Sequence, residues 1–311
     1  MNDIVLTYFE PFGDRNTNAS KEIVSLFKEQ YRIYELPVRW NKVGKVLNNI
    51  KKPKYLFLVG EAGSYKNITV ELIAHNIANG VDNDKIKLEN EKIDLNGDDL
   101  LSTNIDFSDL DKSISISQNA GSYLCNYAYY KTLQKVKENV YIAFIHVPYI
   151  DENNSKDYLA ASLHKIIKYA VNKNVNIKYF DHKVQEGLDI REEVFLKEQK
   201  FEKEFDKIDE YATHFVAYID DYAVGTCRIY LEKDNIYHLG RLAIKKEYRN
   251  LGIASKLIKE VENYLLKNGY HSLILGSQIR AKEFYIKCGF IEYGEIYYDE
   301  YCSHIMMKKT F

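Results

Sequence analysis

Proline and cysteine are scarce in this 311-residue chain, with four of each, and tryptophan occurs once. The cysteines stand apart at positions 125, 227, 288 and 302, a scatter that argues against a disulfide framework and against a four-thiolate zinc site. No metal is expected, and a reducing compartment is. No apolar run approaches the ~18 residues that a membrane-crossing helix needs. An excess of charge is missing too: 43 Lys plus Arg against 45 Asp plus Glu leave a formal net charge of −2. Neither a nucleic acid nor a membrane surface would find an electrostatic hold here, which favours small-molecule or peptide substrates. The opening MNDIVLTYFEPFG has no basic region ahead of a long apolar one, so a cytoplasmic protein is expected. Homo-oligomerisation is left open.

What is present is length and a change of pattern. A chain of this size exceeds one ordinary core, so two domains are expected. Up to about residue 172, short apolar runs (DIVLTY, KYLFLVG, VYIAFIHVP) alternate with helical spacing in SKEIVSLFKEQ, NKVGKVLNNIKK and NYAYYKTLQKVKE. This predicts a layered α/β/α fold with a mostly parallel sheet, its functional groups at the carboxyl ends of the strands. After the helix SKDYLAASLHKIIKYAVNKN the pattern shifts to VNIKYF, a helix in DIREEVFLKEQKF, and a hairpin turning at Asp220 and Asp221. The seam is placed at 174/175, giving domains 1–174 and 175–311.

Three residues of the first half carry chemistry. A catalytic cysteine needs a helix N-terminus or an imidazole to favour its thiolate. Cys125 follows Gly121 and Ser122, a turn and a cap residue, and so falls in the first turn of a helix whose free amides also suit an oxyanion. His146 closes the strand YIAFIHVP. Glu71 is a carboxylate inside the alternating run ITVELIAHNIA, a costly placement unless it is paired.

Four blocks, LTYFEPFGDRNTNAS, GEAGSYKNITVELIAHN, SQNAGSYLCNYAYY and FIHVPYI, resemble in order those of the pyroglutamyl peptidase I family of cysteine peptidases, over about residues 3 to 172. The resemblance implies Cys125 as nucleophile, His146 as general base and acid, and Glu71 as the residue that holds the imidazole. It also implies Phe9 and Phe12 against a flat, neutral lactam ring, with backbone groups near Glu61 and Asn18 reading its N–H and C=O. The chain departs from the pattern at Tyr65, where the family has an arginine near the active site.

In the second half, Arg249, Gly252 and Ala254 form R-x-x-G-x-A between a strand and a helix, where small residues and the helix dipole suit an anion. The blocks GRLAIKKEYRNLGIASKL, SQIRAKEFYIKCGF and YYDEYCSHIMM resemble the GNAT acetyltransferases, over about residues 176 to 311, and imply an α/β fold with a mixed sheet. By that resemblance, acetyl-coenzyme A would meet the backbone of Leu242, Ala243 and Ile244. Its pyrophosphate would rest on Arg249, Asn250, Leu251, Gly252, Ile253 and Ala254, and Tyr285 would serve the departing thiolate. Glu198, His214 and His304 match positions of the amine's base. The whole chain is read as a bifunctional enzyme, a pyroglutamyl-directed cysteine hydrolase and an acetyl-coenzyme A-dependent N-acetyltransferase. The alternative is an acetyltransferase whose first domain only binds a lactam or a peptide.

Overall fold

The computed structural model describes residues 3–13, 15–51, 53–135, 140–233 and 235–311. The end of the expected helix NYAYYKTLQKVKE, from 136 onward, lies outside the described residues. The chain divides into two compact units, Met1–Ala170 and Val171–Phe311.

The first unit is built on β1 (Ile4–Phe9), β2 (Arg32–Leu36), β3 (Tyr55–Glu61), β4 (Thr69–Glu71), β5 (Ile73–His75), β6 (Ala78–Val81), β7 (Lys87–Glu91), β8 (Leu100–Ser102), β9 (Ser115–Ser117) and β10 (Tyr141–Val147), with α1 (Ala19–Val24), α2 (Trp40–Asn49), α3 (Leu124–Gln134) and α4 (Lys156–Lys173). Its main sheet runs β2-β1-β3-β10-β4-β9. Only the β10–β4 junction is antiparallel. β1, β3 and β10 are almost wholly apolar because helices cover both faces of the sheet. On one side α2 and α3 meet through Trp40, whose ring lies 5.5 Å from Tyr123 and 5.4 Å from Tyr127. This core takes Val5, Leu56, Leu58, Ile142 and Phe144 from the sheet. α1 lies against β1, β3 and β10, and α4 joins it through the Lys156–Glu22 ion pair. Between β4 and α3 the chain forms a lobe of two small antiparallel pairs, β5–β8 and β6–β7. The buried Asn126 of α3 ties it down with hydrogen bonds to His75 N, His75 O and Ile77 O.

The second unit holds β11 (Val175–Phe180), β12 (Thr213–Ile219), β13 (Tyr222–Lys233), β14 (Ile236–Ile244), β15 (Ser272–Gln278), β16 (Ile291–Asp299) and β17 (Cys302–Thr310), with α5 (Gln185–Arg191), α6 (Ile253–Lys267) and α7 (Lys282–Lys287). The sheet is mixed, in the order β11-β12-β13-β14-β15-β17-β16. Its one parallel junction is β14–β15. The hairpin turns at Asp220, φ +53°, as its sequence predicts. DIREEVFLKEQKF is not one regular helix: α5 widens over Glu192–Glu198 into a π-helix, closed by Gln199 N–H to Val194 O. Such segments recur at functional sites. α6 buries Ile253, Leu257, Ile258, Val261 and Leu265, the stripe that its 3.6-residue period lays against the sheet.

Candidate active sites

In the first unit the carboxyl ends of β3 and β10 lie side by side. His146 of β10 is in register with Gly60 of β3 and Thr69 of β4, and Phe144 with Glu71. His146 and Glu71 are thus diagonal neighbours across an antiparallel pair and emerge on one face. His146 Nδ1 stands 2.7 Å from Glu71 Oε1, in a setting where Glu71 is wholly buried and His146 is 5% exposed. A carboxylate only accepts, so Nδ1 carries the proton and Nε2 keeps the lone pair that a general base requires.

Cys125 reaches the same strand ends from α3. It is the second residue of α3, and a methyl group on Gly60 would stand 2.7 Å from its sulfur and 2.9 Å from Phe144 Cζ. Only glycine admits that approach. Ser122 does not cap the helix: Tyr123 is the N-cap, and its side chain makes no capping hydrogen bond. Its hydroxyl donates to Val81 O at 2.7 Å and its ring packs on Trp40, so aromatic packing sets the entry into the helix. Burial, then the charges of Glu71 and Glu61, push the Cys125 thiol up to about 12. Desolvation and those two charges therefore disfavour a resting thiolate.

The lactam-binding expectations divide. Phe9 is 2% exposed and packs on Phe144, 6.4 Å between ring centres, so its ring belongs to the core and is not free for a ligand. Phe12 is half-buried beside Tyr123. The Asn18 side chain caps α1, accepting from Ser20 N–H at 2.9 Å and donating to Glu10 O at 3.3 Å. Glu61 Oε2 accepts the Ala19 N–H at 2.6 Å, and Arg15 pairs with the same carboxylate. The Arg15 guanidinium lies over Tyr149, 4.5 Å from the ring centre, and 5.7 Å from that of Phe12. Arg15 and Tyr149 were not expected from the sequence. The charge of Arg15, three positions after Phe12, was the available signal.

In the second unit β14 and β15 pair only at Tyr237↔Leu273 and His238↔Ile274. From there β15 pairs with β17 as far as Gln278↔His304, while β14 stays paired with β13 to Gly225↔Ile244. The register shift between Thr226 and Arg228, and Arg241 at φ +57°, turn β14 aside. Among the described residues, the backbone of Leu242, Ala243 and Ile244 is left with no partner strand on the β15 side. The loop that follows enters α6 through Asn250 at φ +63° and Gly252 at φ +90°, the helix N-cap, again without a side-chain hydrogen bond. The first amides of α6, including those of Ile253 and Ala254, have no helical partners by geometry, as at any helix N-terminus. The Arg249 side chain faces elsewhere: it grips both oxygens of Glu198 at 2.6 Å and donates to Ile244 O at 2.9 Å.

That grip corrects one candidate base, since Arg249 holds the Glu198 carboxyl below its ordinary range. His214 is buried with Nε2 3.1 Å from Asp209 O, and burial lowers its pKa. It belongs to an ionic cluster in which Arg191 meets Glu204 and Asp209, and Arg228 meets Asp206 and Asp209. His304, in register with Gln278, has Nδ1 3.0 Å from Cys302 O, which leaves Nε2 as the basic nitrogen. Burial, then Cys227 and Cys288, raise the Tyr285 phenol above its ordinary range, so it remains an O–H donor.

Fold and sites define the class: an enzyme with a parallel-rich α/β/α unit followed by a splayed mixed-sheet unit. The pyroglutamyl peptidase family model matches residues 2–177, more than half of the chain, and the chain belongs to that family. An acetyltransferase (GNAT) domain model matches residues 179–311. The pyrrolidone-carboxylate peptidase of Fusobacterium nucleatum is 30% identical, over 54% of this chain and 89% of its own length. That of Thermosipho africanus is 32% identical, over 54% and 93%. Among solved structures, the pyrrolidone carboxyl peptidase of Thermococcus litoralis aligns with a TM-score of 0.51 at 27% identity, covering 55% of this chain and 94% of that one. Among the described residues no helix is long and apolar enough to cross a membrane.

Proposed function

We propose that residues 1–174 remove pyroglutamate from peptide N-termini through Cys125, and that residues 175–311 transfer an acetyl group from acetyl-coenzyme A to an amine. The observation that carries the hydrolase reading is the Nδ1–Oε1 bond of His146 and Glu71, set in register with the one strand residue, Gly60, that admits the Cys125 sulfur. In the first step Cys125 Sγ attacks the scissile carbonyl as His146 Nε2 takes the thiol proton. The opening amides of α3 hold the oxyanion. His146 then returns the proton to the leaving amine, a thioester remains, and water activated by the same nitrogen cleaves it. Because the thiol rests protonated, the base is needed at the moment of attack. That the relatives are pyrrolidone-carboxylate peptidases supports the substrate class. The test is release of a fluorescent amine from its pyroglutamyl amide by the whole chain, lost in Cys125→Ser. No release by the wild type would reject the reading.

In the second unit, acetyl-coenzyme A when bound supplies an activated acetyl thioester. The free edge of Leu242, Ala243 and Ile244 and the left-handed entry into α6 fit its pantetheine arm and pyrophosphate. Tyr285 holds its proton ready for a thiolate, and His304 is the base that its tautomer favours. Calorimetric titration with acetyl-coenzyme A tests this half, and absence of heat at millimolar ligand would remove it.

A second reading keeps the first unit as a binding module without turnover. The Arg15–Glu61 pair favours it, because that carboxylate is already taken. Binding of pyroglutamate in a thermal-shift assay, with no turnover of the amide, would select it.

A further inference from the structure

The geometry points to Tyr65 as a positioning residue that sets the basicity of the His146–Glu71 pair. This rests on the hydrolase reading above and deepens it. Tyr65 Oη is 3.0 Å from Glu71 Oε1, the same oxygen that accepts from His146 Nδ1 at 2.7 Å. The Tyr65 ring meets the imidazole edge-on at 5.5 Å. Glu71 Oε2 has no hydrogen-bond partner among the described residues. The buried charge of Glu71 is thus met at one oxygen by two donors, the imidazole N–H and a phenol.

Other titratable groups surround the pair without bonding the Glu71 carboxylate. Cys125 on α3 sits within electrostatic reach of both Glu71 and Glu61, the latter at the end of β3. Tyr129 of α3 donates to the backbone oxygen of Glu71 at 3.0 Å. Arg15 is spent on Glu61. Burial raises the Tyr65 phenol, so it stays protonated and its hydroxyl can donate to Glu71; its next acceptor, Asn119 O, is farther at 3.5 Å.

Sharing Oε1 between two donors divides the charge that Glu71 presents to the imidazole. With a cation at position 65 that charge would be largely neutralised, and with no donor it would fall wholly on His146. A phenol gives an intermediate setting.

Two variants of the whole chain, Tyr65→Phe and Tyr65→Arg, test this by two readouts. The first is the low-field proton resonance of His146 Nδ1–H, which does not require activity. It moves downfield in Tyr65→Phe, as Oε1 becomes the stronger acceptor, and upfield in Tyr65→Arg. The second is the acid limb of kcat/KM for a pyroglutamyl amide, which moves up by about half to one pH unit in Tyr65→Phe, the effect of one hydrogen bond to a charged group. It moves down in Tyr65→Arg. An unmoved proton resonance and acid limb in both variants, with the fold intact by circular dichroism, overturn the assignment. If the wild type hydrolyses nothing, the hydrolase reading falls and the proton resonance alone decides the role of Tyr65.

Discussion

Arg15 and Glu61, forty-six positions apart in the chain, form an ion pair at the end of β3, with the carboxylate side chain buried and the guanidinium partly open under Tyr149. Removing the cation alone strands a charge. Arg15→Ala is expected to lower stability by about 1–3 kcal/mol, the cost of a buried group that loses its partner. Glu61→Gln keeps an acceptor for the Ala19 N–H and should cost less. The double variant should recover part of the loss, and a double-mutant cycle by urea denaturation measures the coupling. Additive effects would show that the pair contributes nothing.

The thiol at about 12 predicts a particular reactivity profile. A group with a raised pKa is protonated at neutral pH, and its thiolate fraction grows about tenfold per pH unit below the pKa. Alkylation of Cys125 by iodoacetamide should therefore climb through pH 7 to 10 without a plateau, followed by mass spectrometry of the peptide holding residue 125. A plateau near neutral pH would mean that an imidazolium already holds the thiolate at rest.

Where the sequence could be read, the reason is periodicity. The runs around 4–9, 55–61 and 141–147 are apolar because the sheet is covered on both sides, and such strands announce themselves. The short strands between β4 and α3, those of the lobe and the edge strand β9, did not: β5, β8 and β9 are three residues each and β7 is mostly exposed, so no period builds up. The widening of α5 into a π-helix has no periodic signal either. At the sites, His146 and Glu71 were legible as a strand-end imidazole and a buried carboxylate. The Arg249 grip on Glu198, the Tyr65 hydroxyl on Glu71 and the burial of Phe9 were not, because each is decided by contacts between segments.

The left-handed entry to α6 predicts a two-part loss in Gly252→Val. A β-branched residue at φ +90° is strained by about 1–2 kcal/mol or more. Its side chain also crowds the amides that would hold a pyrophosphate, so acetyl-coenzyme A should bind at least tenfold more weakly by calorimetry. Gly252→Asn, which tolerates positive φ better, should recover more of the stability than of the affinity. Equal affinity in all three forms would take the pyrophosphate away from this loop.

Asp209 gives the second unit an acid limit. Burial alone would raise its carboxyl, but hydrogen bonds from Arg191 and Arg228 win and hold it at about 2. A carboxyl whose folded pKa is depressed adds stability above its unfolded value, near 3.8, and loses it as pH falls toward the folded one. The second unit should therefore weaken between about pH 4 and 2 in a circular-dichroism titration. Asp209→Asn should flatten that limb and lower stability at neutral pH, because two buried guanidinium groups lose a shared anion. Arg191→Met, which leaves Glu204 with Arg241 and Asp209 with Arg228 as their remaining guanidinium partners, should cost about 3 kcal/mol, the lower end of the range for breaking a buried pair from one side. An acid limb unchanged in Asp209→Asn would place the pH sensitivity elsewhere.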